Sequence, residues 1–434
     1  MENNIQLKEM IRSMVIDVLE GKKQETASSQ RIKQASRGQV EPGVFDTVDE
    51  AIQAAKVAQE RFEDCTLATR EKVIADIRAA MRPRVQELAL KTVEETGMGR
   101  VADKVLKLNL TLDKTPGVED LVTECETGDN GMTLYELSAY GVIGAITPST
   151  NPAETLICNT IGMLAAGNAV FFSVHPGAKH LSRLLVSELN QIIFKSIGIE
   201  NLIVTLREPS IESAQEMMLH PDVSLLVVTG GPGVVKQALQ SGKKVIGAGA
   251  GNPPAFVDET ADIKKAAQDI VLGASLDNNI LCIAEKSVVA MRQIEPQLVQ
   301  EMVRVGCVLV ENQQDIQRLV DLTVLPNGTP NKKFVGKNAS VILDAARIPY
   351  NGDPRLIIIR TPKDHPFAVI EMLMPILPVV TVDSFDEGLD VCLMLEAGLH
   401  HTATMHSLNM ERLNRMARKM KTSIFVKNGP SYAG

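Results

Sequence analysis

Residues 142–247 alternate short apolar runs with helical stretches, and this alternation constrains the fold more than any other feature of the sequence. The runs are typical of strands buried on both faces and lie at Val142–Thr147, Ala169–Ser173, Leu202–Leu206, Leu225–Thr229 and Val245–Gly247. Helices are predicted between them, at about 153–165, 177–195, 210–219 and 233–241. This pattern predicts a parallel, doubly wound α/β sheet. A second α/β block is expected from about Ala248.

Ligands of such sheets bind beyond the carboxyl ends of the strands, where residues 147–151, 173–177 and 229–233 lie. The last segment, within VVTGGPGVV, is rich in glycine and opens a helix, so its backbone N–H groups are suited to phosphate. A tight strand–helix turn accounts for the same residues equally well. Asn151 stands between two prolines and is suited to donating a hydrogen bond to an oxyanion. From the residues alone, an N-terminal cap of the next helix is the favoured interpretation of Asn151.

The composition excludes one class of partner. The chain has 434 residues, 44% of them hydrophobic and 3% aromatic, and its net charge is −8. A chain of this length is expected to form two or three domains. Few aromatic side chains and an acidic balance provide neither the stacking platforms nor the basic face that nucleic acids need. We therefore expect no nucleic-acid partner.

No targeting or membrane segment is predicted, because the N-terminus lacks the apolar core of a signal peptide. The stretch 156–174 contains asparagine, threonine, glycine and serine, and is interpreted as a buried helix and strand rather than a membrane span. The six cysteines form no CxxC pair, which predicts reduced thiols and a cytoplasmic protein. The histidines at 400, 401 and 406 lack the spacing of a zinc site, so no metal is expected.

Cys282 stands out among the cysteines because polar residues precede it in the segment SLDNNILCIAEKS. Cys158 and Cys392 lie inside apolar stretches. Most cysteines are small structural hydrophobes, and that interpretation applies to each of the six by default. A cysteine nucleophile needs a base or an electropositive site nearby, and no histidine lies close to Cys282 in the sequence.

The first 20 residues have apolar side chains at helical spacing, with mixed charges on the other face, and predict an amphipathic helix. Residues 21–43 are polar and predict a flexible linker. The helix is either a docking peptide for a partner's groove or a terminal helix packed on its own chain. The body begins near Val44. Thr47 with Glu50 predicts the start of a helix to about Phe62, and a second helical stretch to about residue 95 is expected to break at Pro83.

Six segments occur in an order that resembles the aldehyde dehydrogenase superfamily, specifically its coenzyme-A-acylating branch. They are GVIGAITPSTNPAET, VVTGGPGVV, KKVIGAGAGNPP, NNILCIAEK, HPFAVIEMLMPILPV and GLHHTATMHS. The resemblance covers residues 44–434 and is strongest to propionaldehyde and acetaldehyde dehydrogenases of bacterial microcompartments. It implies a Rossmann-like cofactor domain at 44–247, an α/β catalytic domain at 248–421, and a small β flap formed by 124–140 and begun again at 422–434.

The same resemblance implies partners and a location. Residues 1–20 would be an encapsulation peptide that binds shell or core proteins, and the flap would mediate a homo-oligomer, a dimer or a tetramer. The protein would act in the cytoplasm inside a microcompartment. Relatives continue beyond the position of Gly434 with strands of the flap, which leaves the oligomeric state open.

Residue by residue, the resemblance implies that Cys282 is the catalytic nucleophile and Asn151 the oxyanion donor. It also implies a set of cofactor-binding residues at the strand ends and on one later loop: Thr147, Pro148, Ser173, His175, Thr229, Gly230, Gly231 and Glu371. Glu371 corresponds to a glutamate that binds the ribose on the nicotinamide side. His400 and His401 are candidates for assisting the thiol of coenzyme A.

Two departures from the superfamily pattern predict the reaction more closely. Ala248 occupies the position where hydrolytic members carry a general-base glutamate, so the thioester would await coenzyme A rather than water. His175 stands where many relatives have lysine, which favours NAD over NADP. The expected activity is oxidation of a short aldehyde, propionaldehyde before acetaldehyde, to acyl-CoA. A hydrolytic dehydrogenase and a non-catalytic binding or shell-organising protein are the alternatives.

Overall fold

Two parallel β-sheets organise residues 41–434, which are the residues that the computed structural model describes. The predicted helix at 1–20 and residues 21–40 of the predicted linker lie outside the described residues. The doubly wound parallel α/β architecture predicted from the alternation of strands and helices is confirmed.

The first sheet has six parallel strands in the order β1-β6-β5-β4-β7-β8, and a separate antiparallel hairpin is formed by β2 and β3. The strands are β1 Val44–Phe45, β2 Glu124–Gly128, β3 Gly131–Tyr135, β4 Val142–Ile146, β5 Ala169–Ser173, β6 Ile203–Leu206, β7 Val223–Thr229 and β8 Lys244–Ala248. The helices are α1 Val48–Glu63, α2 Leu67–Met81, α3 Val85–Thr96, α4 Val101–Lys114, α5 Pro152–Ala165, α6 Lys179–Ile197, α7 Ile211–Leu219 and α8 Pro232–Leu239. Strands β4 and β5 are buried throughout, as strands covered by helices on both faces should be.

The second sheet has seven parallel strands in the order β11-β12-β13-β10-β9-β14-β15. Its strands are β9 Pro254–Val257, β10 Ser287–Met291, β11 Cys307–Val310, β12 Leu356–Arg360, β13 Ile376–Val382, β14 Thr402–His406 and β15 Ile424–Lys427. Its helices are α9 Ile263–Ser275, α10 Glu295–Arg304, α11 Gln313–Thr323, α12 Ala339–Ala346, α13 Pro366–Val369, α14 Phe385–Glu396 and α15 Met410–Met420. The chain crosses from the first sheet to the second between β8 and β9.

The predicted helix start at Thr47 and the predicted helix break at Pro83 are both confirmed. Thr47 caps α1, its hydroxyl accepting the N–H of Glu50 at 3.3 Å. The chain breaks at Pro83, where a 3₁₀ turn over Arg82–Arg84 separates α2 from α3, because proline cannot donate the next helical hydrogen bond. The stretch 156–174 is a largely buried helix followed by a buried strand, and no helix of the described residues is long and apolar enough to cross a membrane.

The C-terminal segment differs from expectation. Residues 422–434 were predicted to begin a flap, but β15 pairs in parallel with β14 inside the seven-stranded sheet. Beyond it, the backbone N–H and the hydroxyl of Ser431 donate to Glu285 at 2.9 and 2.7 Å. A short apolar run such as Ile-Phe-Val carries no information about which strand it pairs with, because that partner lies elsewhere in the chain.

The hairpin at 124–135 is exposed along both strands, and its role in an oligomer stays a prediction.

Candidate active site

The loop that carries Cys282 leaves α9 through three consecutive left-handed residues. Asp277, Asn278 and Asn279 have φ angles of 51°, 56° and 66°. Short polar side chains tolerate this conformation better than other non-glycine residues, and here they anchor it. The Asn278 amide donates to Gly336 O at 2.8 Å, and the Asn279 amide donates to Ala274 O at 2.7 Å. The polar residues that distinguished Cys282 in the sequence therefore form a rigid turn.

The buried side chain of Lys286 stabilises the same loop by hydrogen bonds to its backbone. Its side chain is buried, and Nζ donates to Asn279 O at 2.9 Å and to Leu281 O at 2.7 Å. Burial lowers the pKa of Lys286 to about 8, although Glu371 and Cys282 act to raise it. The sequence analysis missed this residue, because a lysine four positions after a cysteine looks like any surface lysine until its burial is known.

Cys282 is half-buried. Burial raises the pKa of its thiol and the carboxylate of Glu371 raises it further, whereas Lys286 opposes both. The thiol is therefore protonated at neutral pH, and it becomes a nucleophile only when a base or a change in its surroundings removes the proton.

Gly251 is the point where three distant segments meet. A Cβ built on Gly251 would lie 2.9 Å from the carbonyl oxygen of Cys282 and 2.9 Å from Cγ of His401, closer than such contacts occur. The N–H of Gly251 also donates a hydrogen bond to the Glu371 carboxylate. At Gly251, the glycine-rich stretch at 246–254 therefore accommodates the Cys282 loop.

The two neighbouring histidines have different surroundings. His401 is half-buried against Gly251, and its backbone N–H donates to the Glu396 carboxylate at 2.9 Å. Burial and the charge of Lys286 lower the pKa of His401, so its ring is neutral near pH 7 and able to accept a proton. His400 is exposed, and its Nδ1 lies 3.1 Å from Lys421 O. Of the two candidates, His401 is therefore the one that borders the Cys282 loop.

Asn151 lies at the N-cap position of α5, but its side chain makes no capping hydrogen bond. The cap interpretation is therefore wrong. Its Oδ1 instead accepts a hydrogen bond from Nζ of Lys107, and its Nδ2 donates to the Thr150 hydroxyl at 3.2 Å. Lys107 belongs to α4, a helix that the sequence analysis did not predict.

The predicted cofactor residues of the first sheet gather at its carboxyl edge. The N–H of Thr147 donates to Ser173 O at 3.2 Å, and the N–H of Gly230 donates to Ala248 O at 3.2 Å. Thr229 pairs in register with Ala248, so Ala248 ends β8 beside the glycine-rich turn. Ala248 is exposed and offers only a methyl group at this edge.

Two features of this edge suit a dinucleotide. The Thr147 hydroxyl is buried and has no hydrogen-bond partner among the described residues. Gly231 stands at the N-cap of α8 with open space where a side chain would be, which leaves the helix N-terminus accessible to a phosphate.

Pro148 is half-buried beside Thr147, whereas His175 is exposed and its Nδ1 accepts the Gly177 N–H at 3.0 Å. Glu371 lies apart from this group, in the cluster around Gly251 and Cys282.

Within the described residues, no group of histidine, cysteine, aspartate and glutamate side chains is arranged to hold a metal ion. The cysteines also differ from expectation at one position. Cys392 is buried, as its apolar neighbours predict, but Cys158 is exposed because it lies on the outward face of α5.

Comparison with known proteins decides the family. The model of the aldehyde dehydrogenase family matches residues 19–433. The chain belongs to the aldehyde dehydrogenase family. Within this family, it is 52% identical over 393 residues to a propanal dehydrogenase (CoA-propanoylating) of Citrobacter freundii, covering 90% of this chain and 85% of that protein.

Two solved structures of the family have the same fold. A Rhodopseudomonas palustris propionaldehyde dehydrogenase with bound CoA and an acylated cysteine is 47% identical, with a TM-score of 0.89 and coverage of 90% of both chains. A propionaldehyde dehydrogenase from the Clostridium phytofermentans fucose utilisation bacterial microcompartment is 46% identical, with a TM-score of 0.89 and coverage of 91% of this chain and 90% of that chain.

Proposed function

We propose that this protein is a coenzyme-A-acylating aldehyde dehydrogenase that converts a short aldehyde, NAD⁺ and coenzyme A into acyl-CoA and NADH. The observation that carries the proposal is the meeting of Cys282, Glu371 and His401 at Gly251. The relatives named above act on propanal or propionaldehyde, and one of them holds CoA and an acylated cysteine. Propionaldehyde is therefore the proposed substrate.

In the first half-reaction, the Cys282 thiolate adds to the aldehyde carbonyl. The negative charge that develops on oxygen is stabilised by an N–H of the Asn151 amide, and a preorganised donor of this kind contributes about 10²–10³ in rate. NAD⁺, when bound at the carboxyl edge of the first sheet, supplies the acceptor of the hydride. Thr147, Thr229, Gly230 and Gly231 would hold it there, and the acyl group would remain on Cys282 as a thioester.

In the second half-reaction, Ala248 decides the fate of the thioester. A methyl group cannot activate water, so the acyl group waits on Cys282 for a stronger nucleophile. The thiol of coenzyme A attacks the thioester carbonyl after losing its proton, and Cys282 departs as thiolate. His401, which is neutral near pH 7 and packs against Gly251 as the Cys282 carbonyl does, is the proposed acceptor of that proton.

The decisive experiment measures NADH production from propionaldehyde and NAD⁺, with and without coenzyme A, and identifies the product by mass. We expect propionyl-CoA and strict dependence on coenzyme A. Equal rates without coenzyme A, with propionate as the product, would establish a hydrolytic enzyme instead. An active Cys282→Ala variant would end the assignment, and the ratio of kcat/KM for propionaldehyde and acetaldehyde tests the substrate. The same comparison with NADP⁺ tests the cofactor preference inferred from His175.

The partners and location belong to the same proposal. The exposed hairpin at 124–135 presents Met132 and Leu134 to solvent, at 65% and 55% exposure, and this supports a role as the contact surface of a homo-oligomer. Residues 1–20 are proposed to direct the protein into a microcompartment in the cytoplasm. Deleting them should leave activity intact and release the protein from the compartment; loss of the fold on deletion would contradict the docking role.

A further inference from the structure

A buried network of charges connects Asn151 to the Cys282 loop. Lys104 and Lys107 lie one turn apart on α4, and both are buried. Their Nζ atoms lie 2.9 and 2.6 Å from the same oxygen, Oδ2 of Asp277. Asp277 is fully buried in the left-handed turn that leads to Cys282. Two lysines at the core are costly to desolvate, so their retention calls for an explanation beyond packing.

Helix α4 and the residue before it, Arg100, hold both oxygens of the Asp277 carboxylate. Its other oxygen, Oδ1, accepts the backbone N–H of Arg100 at 3.0 Å, and the backbone N–H of Asp277 donates to Asp103 at 2.9 Å. The start of the Cys282 loop is therefore fixed to the first turns of α4. A movement of this helix would move the loop with it.

The two lysines differ in what they hold on the other side. Lys104 donates to the backbone carbonyl of Thr150 at 2.6 Å, whereas Lys107 donates to the side-chain Oδ1 of Asn151. Lys107 also lies 3.2 Å from the Glu154 carboxylate. Burial by itself lowers the pKa of Lys107, but Glu154 and Asp277 outweigh it and the pKa is raised, so Lys107 is charged at neutral pH.

A charged lysine can donate hydrogen bonds but cannot accept them. It therefore selects one of the two orientations of the Asn151 amide, the one in which Oδ1 faces Lys107 and Nδ2 faces the other way. The amide has two N–H hydrogens, and the acceptor described for Nδ2 is the Thr150 hydroxyl. In the flipped orientation the amide N–H groups would face the buried Lys107 ammonium, so two donors would oppose each other without an acceptor, which is unfavourable.

We propose that Lys107 is the positioning residue of the oxyanion donor, fixing the Asn151 amide so that an N–H, rather than its carbonyl oxygen, faces the aldehyde. Through Asp277 it ties that amide to the Cys282 loop and sets the spacing between donor and nucleophile. The inference rests on the proposed function, since it assigns the orientation of a residue used in that mechanism.

The test is a double-mutant cycle on Lys107 and Asn151. Lys107→Met should lower kcat by about tenfold or more, and Asn151→Ala by about 10²–10³. In the Asn151→Ala background, the effect of Lys107→Met on kcat should shrink to about that of Lys104→Met, because no amide remains to be oriented and only the contact with Asp277 is lost. The KM for NAD⁺ should stay at the wild-type value in each variant, which general loss of structure would not allow.

Two further variants separate positioning from stability. Lys104→Met removes an equally buried lysine from the same Asp277 oxygen but does not touch the Asn151 side chain, so its effect on kcat should persist undiminished in the Asn151→Ala background. Removing Lys107 leaves the Glu154 carboxylate without its cation, so a Lys107→Met, Glu154→Gln variant keeps the charge balanced if the single variant does not fold.

Equal effects of Lys107→Met in both backgrounds, or wild-type kcat in Lys107→Met, would overturn the positioning role. The proposed function fails by a different result, namely turnover by Cys282→Ala. Suppose that Cys282→Ala is inactive and Asn151→Ala is impaired, but that the effect of Lys107→Met simply adds to that of Asn151→Ala. The enzyme assignment then stands, and only the positioning role of Lys107 is lost.

Discussion

The carbonyl oxygen of Cys282 lies so close to Gly251 that a Cβ there would be 2.9 Å away. The backbone of Gly251 thus forms part of the wall that positions the candidate nucleophile. No side chain can be added at this position unless both the Cys282 loop and the His401 ring move by several tenths of an ångström.

Gly251→Ala should therefore reduce kcat for acyl-CoA formation by about tenfold or more, since displacements of this size in an active site are costly. Gly249 provides a matched control in the same glycine-rich stretch, because a Cβ there meets nothing within 4 Å. Gly249→Ala should keep kcat within about twofold of wild type. Steady-state kinetics on both variants check this, and equal activity of the two would contradict the packing argument.

The protonation of Cys282 predicts how its alkylation depends on pH. The thiolate is the reactive form, and burial raises the pKa of the thiol while Lys286 opposes the rise. The rate of modification by iodoacetamide should increase with pH above neutrality, and Lys286→Met should move the midpoint to higher pH. Peptide mass spectrometry resolves this from the exposed Cys125, whose profile should be the same in both proteins. An unchanged midpoint for Cys282 would show that Lys286 has no electrostatic influence on it.

The raised pKa of the buried Glu285 carboxyl makes the free energy of unfolding depend on pH. Burial raises its pKa from 4.5 to about 7, so the folded protein binds a proton that the unfolded chain releases near pH 4.5. Stability from this group is therefore full below about pH 4.5, decreases as pH rises, and is lost above about pH 7.

Glu285→Gln lacks this titration. Urea unfolding between pH 4.5 and 8 measures the free energy of unfolding of both proteins. The free energy of the variant should fall furthest below that of wild type at the acidic end, and the difference should shrink as pH rises. A deficit independent of pH would mean that Glu285 stays ionised in the folded protein.

The product is expected to depend on the side chain at position 248. A carboxylate at this exposed position beside Thr229 would supply the base that the edge of the sheet lacks. Ala248→Glu should raise the ratio of propionate to propionyl-CoA, measured by mass, above that of wild type. In Ala248→Gln the new side chain has nearly the size of glutamate, but its amide oxygen is a much weaker base than a carboxylate. This variant should leave the ratio unchanged. A rise in both variants would point to disturbed binding of coenzyme A rather than to activation of water.

The regular part of the fold was accessible from the sequence because its signals are local. Apolar runs gave β4 and β5, the Thr47 cap gave α1, and Pro83 gave the break between α2 and α3. Long-range pairing was not accessible, and β15 was accordingly assigned to the wrong substructure. Cys158 shows a related limit, because an apolar stretch does not reveal which face of its helix is covered.

The candidate site divides in the same way. Cys282 was found through the polar turn before it and through a resemblance of ordered motifs. Lys104, Lys107 and Lys286 were missed, since a lysine is ordinarily an exposed residue and their buried partners are set by the tertiary fold. A signal for Lys104 was present: Val101, Leu108 and Leu112 have helical spacing, and Lys104 falls on the same stripe.

The contact of Ser431 with Glu285 spans 146 positions of the sequence. During synthesis, residues 276–286 emerge from the ribosome long before the strand and turn that complete their surroundings. A nascent chain therefore carries Cys282 before Glu285, three residues away, has its hydrogen-bond donor. The thiol meets its neighbour Glu371 only after residue 371 has been added, so a shorter nascent chain offers free aldehyde an isolated cysteine and not an assembled reaction centre.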